Sequence, residues 1–186
     1  MKWVKAVHAP TNQIIAVAGW TAPGNPVHGL FRKDAVQYYG WQEKMGWSDA
    51  DIEEMWKGVS IEAWDGTFAK DDKLREELMK GEPHWHLATF ITWPEWQGRG
   101  AGTKLMMWAI EQADKTDPVT PMYLESAPSA RAVYMRFGFK PQGAINFLRR
   151  GPAIVTGLEA EEAEGSKTEN ADVSIVEKET DANLAS

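Results

Sequence analysis

The chain has 186 residues, of which 43% are hydrophobic and 11% aromatic, and its formal net charge is −7. This length suits one compact domain with a tail, and two independent cores would be a tight fit. The chain has no cysteine, which excludes disulfides, thiolate nucleophiles and cysteine-based metal sites. The four histidines are scattered and make a poor ligand set, so we expect no metal.

The acidic charge is concentrated near the C-terminus. Residues 157–186 hold nine acidic residues against two lysines, so the rest of the chain is neutral. A nucleic-acid-binding domain would carry a basic surplus, and we therefore expect no nucleic-acid partner. The apolar runs fall far short of the ~20 residues of a membrane span, and no signal segment opens the chain. We expect no membrane partner and a cytoplasmic or nuclear location.

The first predicted elements are two strands. Residues 3–9 and 13–20 are apolar, and the sequence Pro10-Thr11-Asn12 between them is typical of a turn. This pattern predicts a β-hairpin. The prolines and glycines of residues 23–29 then end the hairpin.

Residues 30–80 have a different character. The sequence Ser48-Asp49-Ala50-Asp51 is typical of a helix start, and residues 68–80 predict a second helix that ends at Gly81. We interpret residues 30–80 as a helical insertion that covers the sheet.

Residues 84–150 predict the order β-turn-α-β-α-β-β. Residues 84–93 form the most apolar strand candidate, and a glycine-rich turn follows at residues 97–102. The helix behind the turn has one apolar face at helical spacing, formed by Leu105, Met106, Ala109, Ile110 and Ala113.

The second half of this region contains a short strand, a helix and the last strands. Residues 122–125 predict the strand, and residues 126–129 are expected to cap the helix. Gly138 is expected to end the helix, and residues 139–140 and 144–149 predict the last strands. The helix has one predicted apolar side, formed by Ala130, Val133, Tyr134 and Phe137.

The C-terminal segment has the composition of a disordered region. From about residue 157 the aromatic residues vanish, and such a segment cannot bury enough apolar surface to offset its ordering entropy. The sequence therefore predicts one domain over residues 1–153 and a disordered acidic tail over residues 154–186.

The glycine-rich turn predicts an anion site. The N–H groups at a helix N-terminus lack partners and favour negative charge, glycines let the backbone approach a phosphate, and Arg99 adds a cation. The Walker and dinucleotide-binding patterns both fail at position 103, which is threonine instead of glycine.

A third pattern, Gln/Arg-x-x-Gly-x-Gly/Ala, fits residues 97–102. Together with the preceding Ile91-Thr-Trp-Pro-Glu-Trp96 and the downstream Tyr134-Met-Arg-Phe-Gly-Phe139, it resembles the GNAT superfamily of acyl-CoA-dependent N-acetyltransferases, over about residues 3–150. The sequence also resembles those of uncharacterised fungal members that have a helical insertion before the glycine-rich turn. The resemblance implies an α/β (α+β) GNAT acyl-CoA N-acyltransferase fold, in which helices flank a mixed central sheet, and acetyl-CoA as co-substrate.

The resemblance also implies which residues contact acetyl-CoA. The strand at residues 87–92 would splay from its neighbour and bind the pantetheine arm through its main chain. The amides of residues 97–103 would hold the pyrophosphate. Many members have an Asn where Ala127 stands, so Ser126 or Ser129 would serve instead. The implied cofactor-binding residues are Ile91, Thr92, Gln97, Gly98, Arg99, Gly100, Ala101, Gly102, Thr103 and Ser129.

Two residues are the implied catalytic groups. Tyr134 stands where the family has a tyrosine that protonates the departing thiolate, although it also falls on the apolar side of its helix. His86 is the candidate base, because imidazole titrates near neutral pH; alternatively it merely starts its strand. Glu125 is the second candidate base, and Glu95 is expected to be solvent-exposed.

The chain begins at what resembles the family's second strand. Residues 30–80 then replace the missing first helices, or the chain is a shortened form. The predicted function is acetyl transfer from acetyl-CoA to a primary amine of a small molecule or protein, by a monomer or homodimer. The alternative is an acyl-CoA-binding domain that has little or no activity.

Overall fold

The computed structural model of the chain describes residues 1–151 and 173–179. The chain divides into two compact units. The sheet unit comprises, of the described residues, 1–25, 82–151 and 173–179, and the helical unit comprises residues 26–81.

The sheet unit is built on seven strands. They are β1 Lys2–His8, β2 Gln13–Thr21, β3 Trp85–Thr92, β4 Met122–Glu125, β5 Lys140–Pro141, β6 Asn146–Arg149 and β7 Val173–Glu179. Their order in the sheet is β5-β6-β4-β3-β2-β1-β7. All neighbouring strands are antiparallel except β3 and β4, which are parallel. The mixed sheet and the β1–β2 hairpin are as predicted from the sequence.

Strand β3 changes partners along its length. It pairs with β4 only from Trp85 to Leu87, whereas its pairing with β2 continues to Thr92. The β2 register shifts between Gly19 and Trp20, so Ala88 is the extra residue of a bulge. Beyond Leu87 the edge of β3 that faces β4 therefore carries no strand partner among the described pairings.

Helix α5, Ala101–Asp114, packs its apolar face on the sheet. All five residues predicted for this face are at most 1% exposed, so the helical spacing is confirmed. Trp20, Leu87, Leu124 and Phe147 are register neighbours across four strands and join the same core.

Helix α6, Arg131–Arg136, follows a 3₁₀ turn at Pro128–Ala130 and ends before Gly138, which has φ +82° as expected for a helix C-terminus. Two details of the prediction are wrong. No side chain caps either the 3₁₀ turn or α6. Val133 was predicted on the apolar side but is 44% exposed, because a helix of six residues buries only part of one face.

The helical unit contains α1 Ala35–Tyr38, α2 Trp41–Met45, α3 Asp49–Met55 and α4 Ile61–Met79. Ser48 starts α3 as predicted, through a capping box with Asp51. Helix α4 is longer than the predicted residues 68–80, because Ser60 caps it ahead of Ile61 by accepting a bond from the N–H of Ala63.

Strand β7 lies inside the segment predicted to be disordered. It pairs with β1 over seven register positions, from Lys2 opposite Glu179 to His8 opposite Val173. For residues 173–179 the predicted disorder is therefore wrong, because Val173 and Ile175 alternate towards the core and pack against it. The rest of residues 154–186 lies outside the described residues.

Within the described residues, no helix combines the length and apolar character that crossing a bilayer requires.

A buried ion pair joins β6 to the end of α5. Arg149 is 1% exposed, and its Nη2 donates to both Asp114 carboxylate oxygens at 2.7 Å. Removing the carboxylate leaves the guanidinium charge buried without its counterion, which is strongly destabilising.

We expect Asp114→Asn to lower the free energy of unfolding by about 3 kcal/mol, measured by urea denaturation. Glu111→Gln removes an exposed carboxylate from the same helix and is the control, with an expected change under ~0.5 kcal/mol. Equal effects of the two substitutions would contradict this account of Arg149.

Candidate active site

The turn between β3 and α5 presents main-chain donors that have no hydrogen-bond partner among the described residues. The first intrahelical bond of α5 runs from the N–H of Lys104 to the carbonyl of Gly100. The preceding N–H groups of Ala101, Gly102 and Thr103 belong to the first helical turn, and no side chain caps it. These three donors and the positive end of the helix dipole favour an anion.

Two glycines give this turn its shape. Gly98 has φ +73° and Gly100, which precedes α5, has φ +78°. Residues with a side chain are strained in this left-handed region. Apart from its two chain neighbours, no atom of the described residues lies within 4 Å of a Cβ built on Gly98, so the turn is open on that side.

Gln97 supports the turn instead of lining it. Its side-chain amide donates to the carbonyl of Thr92 at 3.2 Å, and its backbone N–H donates to the carbonyl of Pro94 at 3.3 Å. The side-chain bond ties the turn to the end of β3, and the backbone bond closes the short 3₁₀ helix at Pro94–Trp96. That the Gln97 amide holds a phosphate stays a prediction.

Arg99 is held by an aromatic side chain. Its guanidinium lies 5.1 Å from the ring centroid of Trp96, and the other neighbour of Trp96 is His8, with ring centroids 4.6 Å apart. Such a cation–π contact restricts the exposed guanidinium to the side of the turn.

The end of β3 runs directly into the turn. Thr92 lies beside the first turn of α5, with its Oγ1 3.5 Å from a Cβ built on Gly102. Ile91 is 45% exposed. Among the described pairings, β3 has no strand partner on its β4 side beyond Leu87, so this edge suits an extended ligand. That the ligand is the pantetheine arm stays a prediction.

The two candidate bases lie together. The Nε2 of His86 is 2.9 Å from Oε2 of Glu125, and the imidazole stacks on Tyr123 at an interplanar angle of 22°. His86 pairs with Tyr123 at the second of the three β3–β4 register positions. The sequence had separated these residues by 39 positions, and parallel pairing brings them into contact.

The partner of His86 fixes which nitrogen is available. A carboxylate only accepts, so in the neutral imidazole Nε2 carries the hydrogen and Nδ1 presents a lone pair. His86 is 6% exposed, and its Nδ1 is buried without a hydrogen-bond partner among the described residues. The pair therefore holds a proton acceptor whose other nitrogen is anchored to a carboxylate, an arrangement typical of a catalytic base.

Tyr134 lies in the hydrophobic core, together with the buried residues of α5. It is 6% exposed, and its ring contacts Phe90 of β3 together with Phe139 and Phe147. Burial raises the pKa of Tyr134 to about 12. The phenol is therefore protonated at neutral pH and is a potential proton donor.

The candidate acid and base lie on opposite faces of β3. His86 shares a face with Tyr123, whereas Phe90, which touches Tyr134, belongs to the face packed on α5. The structure thus brings His86 to Glu125 and Tyr134 to Phe90, and among the described contacts none joins Tyr134 to His86.

The remaining predicted site residues lie outside these contacts. Ser129 is exposed in the 3₁₀ turn, whereas Ser126 is buried and its hydroxyl donates to the carbonyl of Ala127. Of the two, Ser129 is the hydroxyl open to a ligand. Glu95 is exposed, as expected.

Three residues near the turn were missed by the sequence analysis. They are Trp96, which contacts Arg99; His8, which contacts Trp96; and Lys104, whose Nζ donates to the carbonyl of Val173 at 3.3 Å. An aromatic residue beside Arg99 was a visible signal for the first. Nothing local in sequence indicates the other two.

These donors fit acetyl-CoA chemically. Its pyrophosphate is an anion that suits the unpaired N–H groups of residues 101–103 and the open side of Gly98. The free edge of β3 suits an extended amide-containing arm. Among residues 1–151 and 173–179, no group of three or more metal-ligating side chains is present.

One known protein family is similar to the part of the chain that holds this site. Residues 77–154 match the family described as the acetyltransferase (GNAT) domain. This stretch contains β3, the turn, α5, β4 and α6, and so every candidate catalytic and cofactor-binding residue. No curated protein matches the chain in sequence.

One similar solved structure is described as histone acetyltransferase HPA2 and related acetyltransferase from Corynebacterium glutamicum. The two chains are 19% identical, with a TM-score of 0.40. The similarity covers 77% of this chain and 61% of that one, so this chain spans about three fifths of its relative's length.

The seven-stranded mixed sheet with flanking helices is the acyl-CoA N-acyltransferase fold. GNAT domains use acetyl-CoA as co-substrate. Residues 77–154, which are less than half of the chain and include the whole candidate site, are therefore similar to the GNAT superfamily of acetyltransferases.

Proposed function

We propose that this protein transfers the acetyl group of acetyl-CoA to a primary amine of a small molecule or a protein. The observation that carries the proposal is the buried, unengaged Nδ1 of His86, whose Nε2 is anchored to Glu125. A primary amine is an ammonium ion at neutral pH and must lose a proton before it can attack a thioester. Hydroxyl and thiol acceptors carry no such positive charge.

The turn and β3 would hold acetyl-CoA. The N–H groups of residues 101–103 and the Arg99 cation suit its pyrophosphate, and the free main-chain edge of residues 88–92 suits the pantetheine arm. Acetyl-CoA supplies an activated acetyl group on a thiol leaving group.

His86 would receive the proton of the acceptor amine. Glu125 accepts a hydrogen bond from Nε2 and would stabilise the imidazolium that forms when Nδ1 takes the proton. The stacked Tyr123 ring restricts the imidazole, and the Tyr123 hydroxyl is itself held at 2.7 Å by the amide of Asn146.

Tyr134 would supply the proton for the departing thiolate. A phenol with a pKa of about 12 remains protonated throughout the physiological range. Its place on the other face of β3 from His86 would keep the proton donor apart from the proton acceptor. Acid and base then serve opposite ends of the reaction.

The direct experiment incubates the purified chain with acetyl-CoA and a panel of amines, namely polyamines, arylalkylamines and lysine peptides. Thiol release and the mass of the acetylated amine are measured, and acetyl-CoA binding is measured by calorimetry. We expect amine-dependent thiol release with an acetylated product. Saturable binding without turnover on any amine would support the non-catalytic alternative instead.

For Tyr134→Phe we expect kcat to fall about 10²-fold, because the thiolate leaves without its proton donor. The dissociation constant for acetyl-CoA should stay unchanged. The control Tyr38→Phe alters a tyrosine of the helical unit and should be neutral.

The pH profile of the parent protein tests the same role. Because burial raises the pKa of Tyr134 to about 12, ionisation of this phenol should not reduce kcat below about pH 11. Tyr134→Phe with unchanged turnover across the whole pH range would exclude the assigned role.

For His86→Gln we expect kcat to fall about 10²-fold, because an amide cannot take up the proton. Glu125→Gln should give a smaller loss, and the double variant should be less impaired than the product of the two effects. His84→Gln is the control, since the His84 Nδ1 lies 2.8 Å from the Glu82 carbonyl oxygen. Equal losses for His84→Gln and His86→Gln would contradict the assignment.

A further inference from the structure

We propose that strand β7 braces the phosphate-binding turn and that its docking on β1 is required for tight acetyl-CoA binding. This inference rests on the proposed function, because it concerns the site assigned there to acetyl-CoA. It makes Lys104 and Ile175 positioning residues, which act through the turn.

The first connection runs from β7 to helix α5. The Nζ of Lys104 donates to the carbonyl of Val173, the first residue of β7, at 3.3 Å. Lys104 is also the residue whose N–H closes the first turn of α5 on the carbonyl of Gly100, at 3.0 Å. One residue thus joins the start of β7 to the helical turn that presents the unpaired donors.

The second connection runs through β1. Val173 is the register partner of His8, and the ring of His8 packs on Trp96. The other contact in this connection is between the Trp96 ring and the guanidinium of Arg99. The same end of β7 therefore reaches both the main-chain donors and the cation of the turn. The two routes are independent, since they pass through different elements.

The docking of β7 depends on few side chains. Val173 and Ile175 pack against the core, whereas Val176 is 42% exposed on the opposite side of the strand. The ion pair between Lys2 and Glu177 is exposed, and such pairs contribute little. Among the described residues, backbone pairing with β1, these two apolar contacts and the bond from Lys104 therefore hold the strand.

A braced turn binds its ligand more tightly because it is already ordered. A loop that must be ordered on binding loses part of its interaction energy as conformational entropy. Loss of β7 should therefore weaken acetyl-CoA binding at the turn without altering the groups that perform the chemistry.

The test compares one substitution at two neighbouring positions of β7. Ile175→Asp places a charge against the core and should undock the strand, whereas Val176→Asp places it on the exposed side. We expect Ile175→Asp to raise the acetyl-CoA dissociation constant and KM about tenfold, with kcat at saturation unchanged. Val176→Asp should bind like the parent. Calorimetry gives the dissociation constants, and circular dichroism verifies folding.

A truncated thioester separates the turn from the rest of the site. S-acetylpantetheine lacks the pyrophosphate, so its kcat/KM should be the same for Ile175→Asp and for the parent. Equal losses with both thioesters would show general damage to the fold and would overturn the brace. If Ile175→Asp does not fold, Ile175→Ala takes its place, with a smaller expected rise of about threefold.

A double-mutant cycle isolates the Lys104 connection. We expect Lys104→Met to weaken acetyl-CoA binding about threefold in the parent and to have no effect once Ile175 is replaced. Additive effects would mean that Lys104 acts on the ligand directly and would overturn the brace. If the parent itself does not bind acetyl-CoA, the proposed function fails as well; if it binds and Ile175→Asp binds equally, only the brace fails.

Discussion

The end of pairing between β3 and β4 after Leu87 is the constraint on which the rest of the site depends. Two parallel strands that continued side by side would satisfy each other's main-chain groups and leave no room for an extended ligand. At the same point a bulge at Ala88 shifts the register between β3 and β2, and β2 stays paired with β3 as far as Thr92. The freed edge leads directly into a turn whose N–H groups are also unpaired.

The candidate acid and base also lie on either side of the point where β3 and β4 stop pairing. His86 and Glu125 lie on strands β3 and β4, where the paired segment ends, and are in contact. Phe90 follows the end of this pairing, and its ring contacts Tyr134 on the face of β3 opposite to His86. A thioester along the opened edge of β3 would thus have a proton acceptor on one face of the strand and a proton donor on the other.

The sequence predicted those parts of the molecule that local patterns determine. The hairpin, the buried face of α5 and the glycine turn each depend on spacing within a few residues. The contact of His86 with Glu125 could not be predicted, because it requires the parallel register of two strands 39 residues apart. Strand β7 was missed because its acidic surroundings dominated the composition, whereas Val173 and Ile175 gain their burial only by pairing with β1.

The most direct test of the account is hydrogen exchange of the backbone amides, measured by mass spectrometry with and without saturating acetyl-CoA. The account predicts that acetyl-CoA slows exchange in the segments 88–92 and 98–103, which carry the free strand edge and the unpaired helix donors. Unchanged exchange in both segments under saturating ligand would contradict it.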